Sequence, residues 1–163
     1  MWFRVSAADA TFASEAKKHF IYDFKVQADP ARTFDVITDP LKMDRWMPDL
    51  KSGSWATKAP HGVGSVREVR LTTIAVQERV LVWEPGERFI FTVVRSSVPL
   101  LKRMVEDYRL ERAHGGGTRV QWTIAYQPLL LAAPLEPILK KRFSKMFELA
   151  ATRLTQHLSS AGA

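Results

Sequence analysis

Apolar and polar residues alternate along most of residues 19–126, with the two-residue period of strands that bury one face. The alternation predicts seven strands, at residues 19–27, 53–57, 65–72, 74–83, 88–95, 103–112 and 118–126. Turn sequences such as Pro85-Gly86 and Gly115-Gly116-Gly117 separate consecutive strands, as in hairpins. The pattern therefore predicts a mostly antiparallel meander.

Helices are predicted on both sides of this meander. Asp29-Pro30 and Asp39-Pro40 each combine a capping carboxylate with a proline suited to the first helical position, which predicts two short helices after the first strand. Between Pro137 and Ser159, apolar residues recur every three or four positions, as in an amphipathic helix. At 1.5 Å per residue this helix is about 34 Å long, so it can lie along a strand of about ten residues.

Size and composition indicate one domain. The chain has 163 residues, of which 46% are hydrophobic. We expect a folded unit over residues 18–160 and a weakly structured extension over residues 1–17. The absence of cysteine excludes disulfides, thiolate catalysis and cysteine-based zinc sites. Polar residues interrupt the first 14 positions and no stretch has the roughly 18–20 apolar residues of a membrane span, so we expect a cytoplasmic protein.

The net charge of +7 arises from basic residues that are spread along the chain. Proteins that bind nucleic acids usually concentrate such charge on one face, so we expect no nucleic-acid partner. The one local cluster lies in the C-terminal helix, at Lys140, Lys141, Arg142 and Lys145. A solvated helix face is the simpler interpretation of this cluster, and peripheral contact with anionic membrane lipids is the alternative.

Three segments share local sequence features with a known group of proteins. Residues 29–48 contain the two capped helices and Trp46, residues 83–89 have the sequence Trp-Glu-Pro-Gly-Glu-Arg-Phe, and residues 108–120 surround a run of glycines. In this order and spacing, over about residues 19–160, they resemble the START-like, or SRPBCC, superfamily. That superfamily includes polyketide cyclases, lipid-transfer proteins and relatives of plant pollen allergens.

The resemblance implies an α+β helix-grip fold, in which a seven-stranded antiparallel sheet wraps around the long C-terminal helix. It also implies a ligand cavity between the sheet and that helix. No fixed set of catalytic residues is shared across the superfamily, so the resemblance does not specify a reaction.

Strand alternation selects residues that would line such a cavity. Those on predicted inner faces, with two from the helix, are Arg67, Phe91, Glu106, Tyr108, Trp122, Tyr126, Phe143 and Phe147. A largely aromatic and aliphatic cavity suits an apolar molecule that bears one or two polar groups. In the simpler alternative, Arg67 and Glu106 pair with each other or reach solvent at a strand end, and the tyrosine hydroxyls bond to the backbone.

No sequence motif indicates a metal, a cofactor or an activated nucleophile. The four histidines are far apart, Gly-x-Ser-x-Gly does not occur, and Gly62-x-Gly64 lacks the rest of a dinucleotide-binding motif. We therefore expect no cofactor and no metal.

Three hypotheses remain for the function. The first is a carrier or sensor that binds a hydrophobic small molecule, such as a lipid, an isoprenoid or a polyketide-like compound. The second, implied by the cyclases of the superfamily, is an aromatase/cyclase-like enzyme that uses Arg67, Glu106 and Tyr108. The third is an interaction protein that presents the basic C-terminal helix to a membrane or a partner.

Overall fold

An eight-stranded antiparallel sheet packs around one long helix in the computed structural model, which describes residues 1–159. The strands are β1 (Phe3–Arg4), β2 (Lys18–Val26), β3 (Leu50–Trp55), β4 (Val66–Leu71), β5 (Ala75–Glu84), β6 (Arg88–Ser96), β7 (Leu101–Arg112) and β8 (Thr118–Pro128). The helices are α1 (Phe12–Glu15), α2 (Pro30–Thr38) and α3 (Glu136–Ser159), with short 3-10 helices at Pro40–Arg45 and Leu130–Leu135. Seven strands follow the order β2-β8-β7-β6-β5-β4-β3, so the predicted helix-grip fold is confirmed.

The two short helical segments after β2 begin at the predicted caps. The carboxylate of Asp29 accepts a hydrogen bond from the Arg32 N–H at 2.9 Å, and that of Asp39 accepts one from the Leu41 N–H at 3.0 Å. Each aspartate caps its helix, because it accepts a hydrogen bond from a backbone N–H group that has no partner within the helix. These segments close one end of the structure, where Trp46 is fully buried.

The eighth strand, β1, is the one that the sequence pattern did not predict. Phe3–Arg4 pairs with the end of β6, and the next two residues donate to the carbonyl oxygens of Val94 and Lys102, both at 3.0 Å. β1 therefore occupies the place where β6 and β7 separate. A strand of two residues is too short to show a two-residue period, and for this reason the predicted count of seven is one too low. Residues 1–17, expected to be weakly structured, thus contain β1 and α1.

The long helix α3 changes its environment along its length. In its C-terminal half, Ala150, Leu154 and Leu158 are fully buried, and the Ala28 N–H donates to the Leu158 carbonyl at 3.2 Å. In its N-terminal half the inward-facing residues, such as Phe143, are only half-buried. The helix is therefore anchored at one end, and a space remains under the other. None of the helices within residues 1–159 is long and apolar enough to cross a membrane.

Candidate ligand-binding cavity

A cavity lies between the inner face of the sheet and the N-terminal half of α3. The volume that the centre of a water molecule can occupy in this cavity is about 90 Å³. The walls are aliphatic and aromatic, and include Phe20, Val69, Leu71, Val76, Phe91, Val93, Met104, Ile124, Phe143 and Phe147. Less buried residues frame the side that meets solvent, namely Leu100, Leu101, Pro128, Glu136, Leu139 and Lys140. We call this side the mouth, and the opposite side, where the buried ionisable residues lie, the closed end.

A buried ion pair occupies the closed end. Arg67 on β4 and Glu78 on β5 face each other directly across the two strands. The Nε atom of Arg67 donates to Oε2 of Glu78 at 2.5 Å, while its Nη1 donates to the carbonyl oxygens of Ile37 and Thr38, both at 3.1 Å. The guanidinium carbon also lies 4.8 Å from the centre of the Phe91 ring. The pair is therefore both charge-compensated and hydrogen-bonded, as burial of charged groups requires.

Glu106 is a second buried carboxyl group, close to this pair. Its Oε2 accepts hydrogen bonds from the Tyr108 hydroxyl at 3.1 Å and from Nε1 of Trp122 at 2.9 Å. Burial, reinforced by the negative charge of Glu78, raises the pKa of Glu106 to about 8. Glu106 is therefore mainly protonated at neutral pH. Burial and the neighbouring Glu106 also raise the pKa of Tyr108 well above its ordinary value, so this phenol stays neutral.

The predicted pairing of Arg67 with Glu106 is wrong. Arg67 pairs with Glu78 on the adjacent strand, whereas Glu106 lies on β7, with β5 and β6 between them. Alternation assigns a residue to a face of the sheet but does not specify its neighbour on that face. The missed partner had a signal in the sequence, because counting outward from the hairpin turn at Thr72-Thr73 places residue 78 opposite residue 67.

The structure brings most of the predicted cavity residues together. Those that line the cavity are Arg67, Phe91, Glu106, Tyr108, Tyr126, Phe143 and Phe147. Trp122 does not line it, because this residue of β8 lies beside Tyr108, 5.0 Å from it between ring centres, and is fully buried against Phe147 of α3. The Tyr108 hydroxyl bonds to Glu106 and not to the backbone, contrary to the simpler alternative. Besides Glu78, the lining residues that the sequence analysis did not select include Met43, Met47, Met104 and Met146, whose flexible side chains fill irregular gaps that residue spacing does not reveal.

The four residues of the basic cluster on α3 are all exposed, and one of them, Lys140, also lines the mouth. Within residues 1–159 there is no group of three or more histidine, aspartate or glutamate side chains placed to hold a metal ion. The polar groups at the closed end of the cavity, Arg67, Glu78, Glu106 and Tyr108, offer hydrogen bonding and proton donation.

Comparison with known proteins gives a consistent assignment. Residues 19–159 match the family described as polyketide cyclase / dehydrase and lipid transport. An uncharacterized protein of Mycobacterium tuberculosis is 32% identical over 130 residues, which cover 79% of this chain and 75% of that protein. A Mycobacterium bovis protein, also uncharacterized, matches to the same extent.

Solved structures with low sequence identity share the fold. A START superfamily protein from Mycobacterium smegmatis has a TM-score of 0.70 at 14% identity, covering 86% of this chain and 96% of that one. The major latex-like protein 151 of Panax ginseng has a TM-score of 0.68 at 14% identity, with 86% and 97% covered. The di-domain ARO/CYC StfQ of the steffimycin biosynthetic pathway has a TM-score of 0.71 at 11% identity, with 86% of this chain and 50% of that chain covered.

Proposed function

Since the chain belongs to the polyketide cyclase/dehydrase and lipid transport family, we propose that it binds an apolar small molecule between the sheet and α3, as a carrier or sensor. One observation carries this proposal: an apolar cavity with a mouth on one side and a single group of buried polar residues at its closed end. A lipid, an isoprenoid or a polyketide-like compound has the matching character, an apolar body with few polar atoms.

The volume of the cavity supports a ligand-induced adjustment of α3. About 90 Å³ is small beside the roughly 300–1,000 Å³ of pockets that enclose drug-sized ligands. The residues over the mouth, Leu139 and Phe143, are only half-buried and belong to the less tightly packed half of the helix. Methionines such as Met104 and Met146 change shape easily, because their side chains are unbranched. Binding is therefore expected to move the N-terminal half of α3 outward.

A neutral fluorescent dye tests this proposal. Nile red should bind the wild type with saturation and a blue-shifted emission, because it moves into an apolar site. Val76→Trp fills part of the cavity and should weaken dye binding by about tenfold or more, which is the effect of about 1.4 kcal/mol. Val63→Trp is the matched control, since Val63 is 70% exposed. Equal dye affinity in a folded Val76→Trp variant would contradict the proposal.

An aromatase/cyclase-like activity is the second candidate function. The observation that favours it is a protonated carboxyl group, Glu106, at the closed end of the cavity beside Arg67 and Tyr108. Hydrogen-bond donation to a carbonyl oxygen stabilises the negative charge that develops when the neighbouring carbon is deprotonated. Incubation with a synthetic poly-β-ketone thioester and mass spectrometry would detect the cyclised product, which loses one water. No increase over the uncatalysed rate would contradict this candidate.

We also propose that the protein contacts an anionic membrane surface beside the mouth. Leu130 and Leu131 are 88% and 93% exposed, and they lie in the segment between Pro128 and Glu136, two residues that frame the mouth. Lys140, Lys141, Arg142 and Lys145 follow directly on α3. Glu136 is engaged by Lys18, so it opposes an anionic surface less than a free carboxylate would. Exposed leucines next to a basic cluster are typical of proteins that lie on a membrane.

A further inference from the structure

Three polar atoms at the closed end of the cavity bond to no other group within residues 1–159. They are Oε1 of Glu106, Nη2 of Arg67 and Oε1 of Glu78, since the other polar atoms of these side chains have the partners described above. In this part of the chain, Nε1 of Trp46 is the one fully buried side-chain polar atom that lacks a partner. The three atoms therefore keep access to open space, and the cavity is the space that their residues line.

Two of these atoms act as hydrogen-bond donors at neutral pH. The Tyr108 hydroxyl and Nε1 of Trp122 both donate to Oε2 of Glu106, so the proton of the neutral acid resides on Oε1 of Glu106. Nη2 of Arg67 carries N–H groups and never accepts. The closed end consequently offers two donors to a ligand, and its free acceptor, Oε1 of Glu78, belongs to a carboxylate that is already paired with Arg67.

The closed end also carries no net charge in this state. Arg67 is neutralised by Glu78 at 2.5 Å, and Glu106 is protonated. An anionic ligand would place an uncompensated charge beside Glu78 in a buried site, at a large cost. A neutral acceptor avoids this cost and satisfies both donors at the same time.

We propose that the closed end of the cavity recognises the oxygen of an uncharged carbonyl group, which accepts hydrogen bonds from Glu106 Oε1 and Arg67 Nη2. The ligand class is therefore a neutral ketone, ester or similar carbonyl compound with an apolar body, and neither a plain hydrocarbon nor a carboxylate such as a fatty acid. This inference rests on the proposed function, because it requires a ligand inside the cavity.

Ionisation of Glu106 reverses its role in this recognition. Above its pKa of about 8, Oε1 becomes an anionic acceptor and repels a carbonyl oxygen. The charged or titratable groups around Glu106 are Arg67 on β4, Glu78 on β5 and Tyr108 on β7, all at the closed end. From α3, Glu136 and Lys140 face the same cavity at its mouth. The preference for a carbonyl compound is therefore expected to weaken at high pH.

Three ligands of nearly equal size and shape test the inference: acetophenone, cumene and benzoate. Acetophenone has the neutral carbonyl, cumene has a methyl group in place of the carbonyl oxygen, and benzoate is an anion at pH 6. Displacement of bound Nile red gives their relative affinities. At about pH 6, acetophenone should bind about tenfold or more tightly than either of the others, as expected for a ligand that leaves no buried donor unsatisfied.

Variants of two glutamates on the same strand identify the donor. Glu106→Gln keeps an acceptor for Tyr108 and Trp122 and places an N–H group where Oε1 stood. Between pH 6 and about pH 9, the advantage of acetophenone over cumene should fall severalfold in the wild type and stay constant in Glu106→Gln. Glu111→Gln, on an exposed position of β7, should behave as the wild type.

Each outcome bears on one of the two proposals or on both. Equal binding of acetophenone and cumene at pH 6, or tighter binding of benzoate, would overturn the carbonyl site and leave the cavity proposal standing. Failure of Nile red and of all three ligands to bind would overturn both. A pH dependence that persists in Glu106→Gln would show that another group is the donor and would overturn the role of Glu106.

Discussion

Glu106 is the residue whose chemistry depends most on its surroundings. Burial removes the water that would stabilise its charge, and Glu78 adds a nearby negative group, so the pKa rises to about 8. In the unfolded chain the same carboxyl group has a pKa near its ordinary value of 4.5. Between these values the folded protein holds a proton that the unfolded chain has already lost.

This difference predicts how stability depends on pH. Because the folded state binds more protons in this window, the free energy of unfolding falls as the pH rises from about 4.5 to 8, by up to about 1.4 kcal/mol per pH unit. Glu106→Gln cannot titrate, so the wild type should lose stability relative to this variant over that window and not above it. Urea unfolding of both proteins at several pH values measures the difference. A stability difference between the two proteins that does not depend on pH would contradict the raised pKa of Glu106.

Sequence alone assigned many of the site residues but not their partners. Alternation placed Arg67, Glu106 and Tyr108 on the inner face, because a residue's side of a strand follows from its parity. It misassigned the partner of Arg67, since pairing depends on strand register. It also counted Trp122 among the lining residues, because parity does not show how far the cavity extends along the inner face before the packed core begins.

At the scale of elements, the Arg67–Glu78 pair connects three parts of the fold. It joins β4 to β5, and Nη1 of Arg67 satisfies carbonyl groups of Ile37 and Thr38 at the end of α2. The last carbonyl groups of a helix have no partner within it, so Arg67 acts as a buried cap for α2. Arg67 thus fixes the C-terminal end of α2 to the sheet.

Removal of either charge should therefore destabilise the protein strongly. Arg67→Met and Glu78→Leu each leave one buried charge without its partner, with an expected loss of about 3–5 kcal/mol. The double variant should recover only part of this loss, because the carbonyls of Ile37 and Thr38 remain without a donor. Denaturant unfolding of the wild type, the two single variants and the double variant measures these changes in the free energy of unfolding.

A surface pair provides the control for this cycle. Arg119 and Asp23 also bond across strands, but their side chains are 56% and 41% exposed. Water and salt screen such a pair, so its removal should change stability little. If the losses in the free energy of unfolding caused by Arg67→Met and Glu78→Leu add up fully in the double variant, the two residues are not coupled. That result would contradict the ion pair at the closed end.

The elements themselves were largely predictable from the sequence, and the exceptions have clear causes. Caps at Asp29 and Asp39 and the turn at Pro85-Gly86 mark boundaries by local backbone chemistry, so they can be located without tertiary contacts. β1 has no such signal. Its two residues are extended only because β6 and β7 separate and leave backbone groups to be paired.

At the scale of the whole molecule, α3 combines an anchored half with a half that covers the cavity. The sequence predicts one amphipathic helix and cannot distinguish these halves, because both have the same apolar period. The cavity volume depends on how far the helix lies from the sheet, which is the sum of many side-chain contacts. The mouth lies beside the exposed leucines and the basic cluster, so ligand uptake and membrane contact would occur on the same side.

Vesicle binding tests that arrangement. The protein should cosediment with vesicles that contain about 30% phosphatidylglycerol more than with phosphatidylcholine alone, and less at high salt. Replacing Leu130 and Leu131 together by Gln should weaken binding by about fivefold or more, because two exposed apolar side chains no longer enter the interface. Leu41→Gln is the control, since Leu41 is 70% exposed and lies on the 3-10 helix Pro40–Arg45. An equal loss of vesicle binding in the Leu41→Gln variant and in the double variant of Leu130 and Leu131 would contradict docking at the mouth.

The five methionines give the most direct test of the cavity as a ligand site. Met43, Met47, Met104 and Met146 line it, whereas Met1 is 99% exposed. In protein labelled with ¹³C at the methionine methyl groups, titration with acetophenone should shift the four cavity signals with one common saturation curve and leave Met1 unchanged. Cavity signals that do not move, or that move no more than Met1, would contradict binding between the sheet and α3.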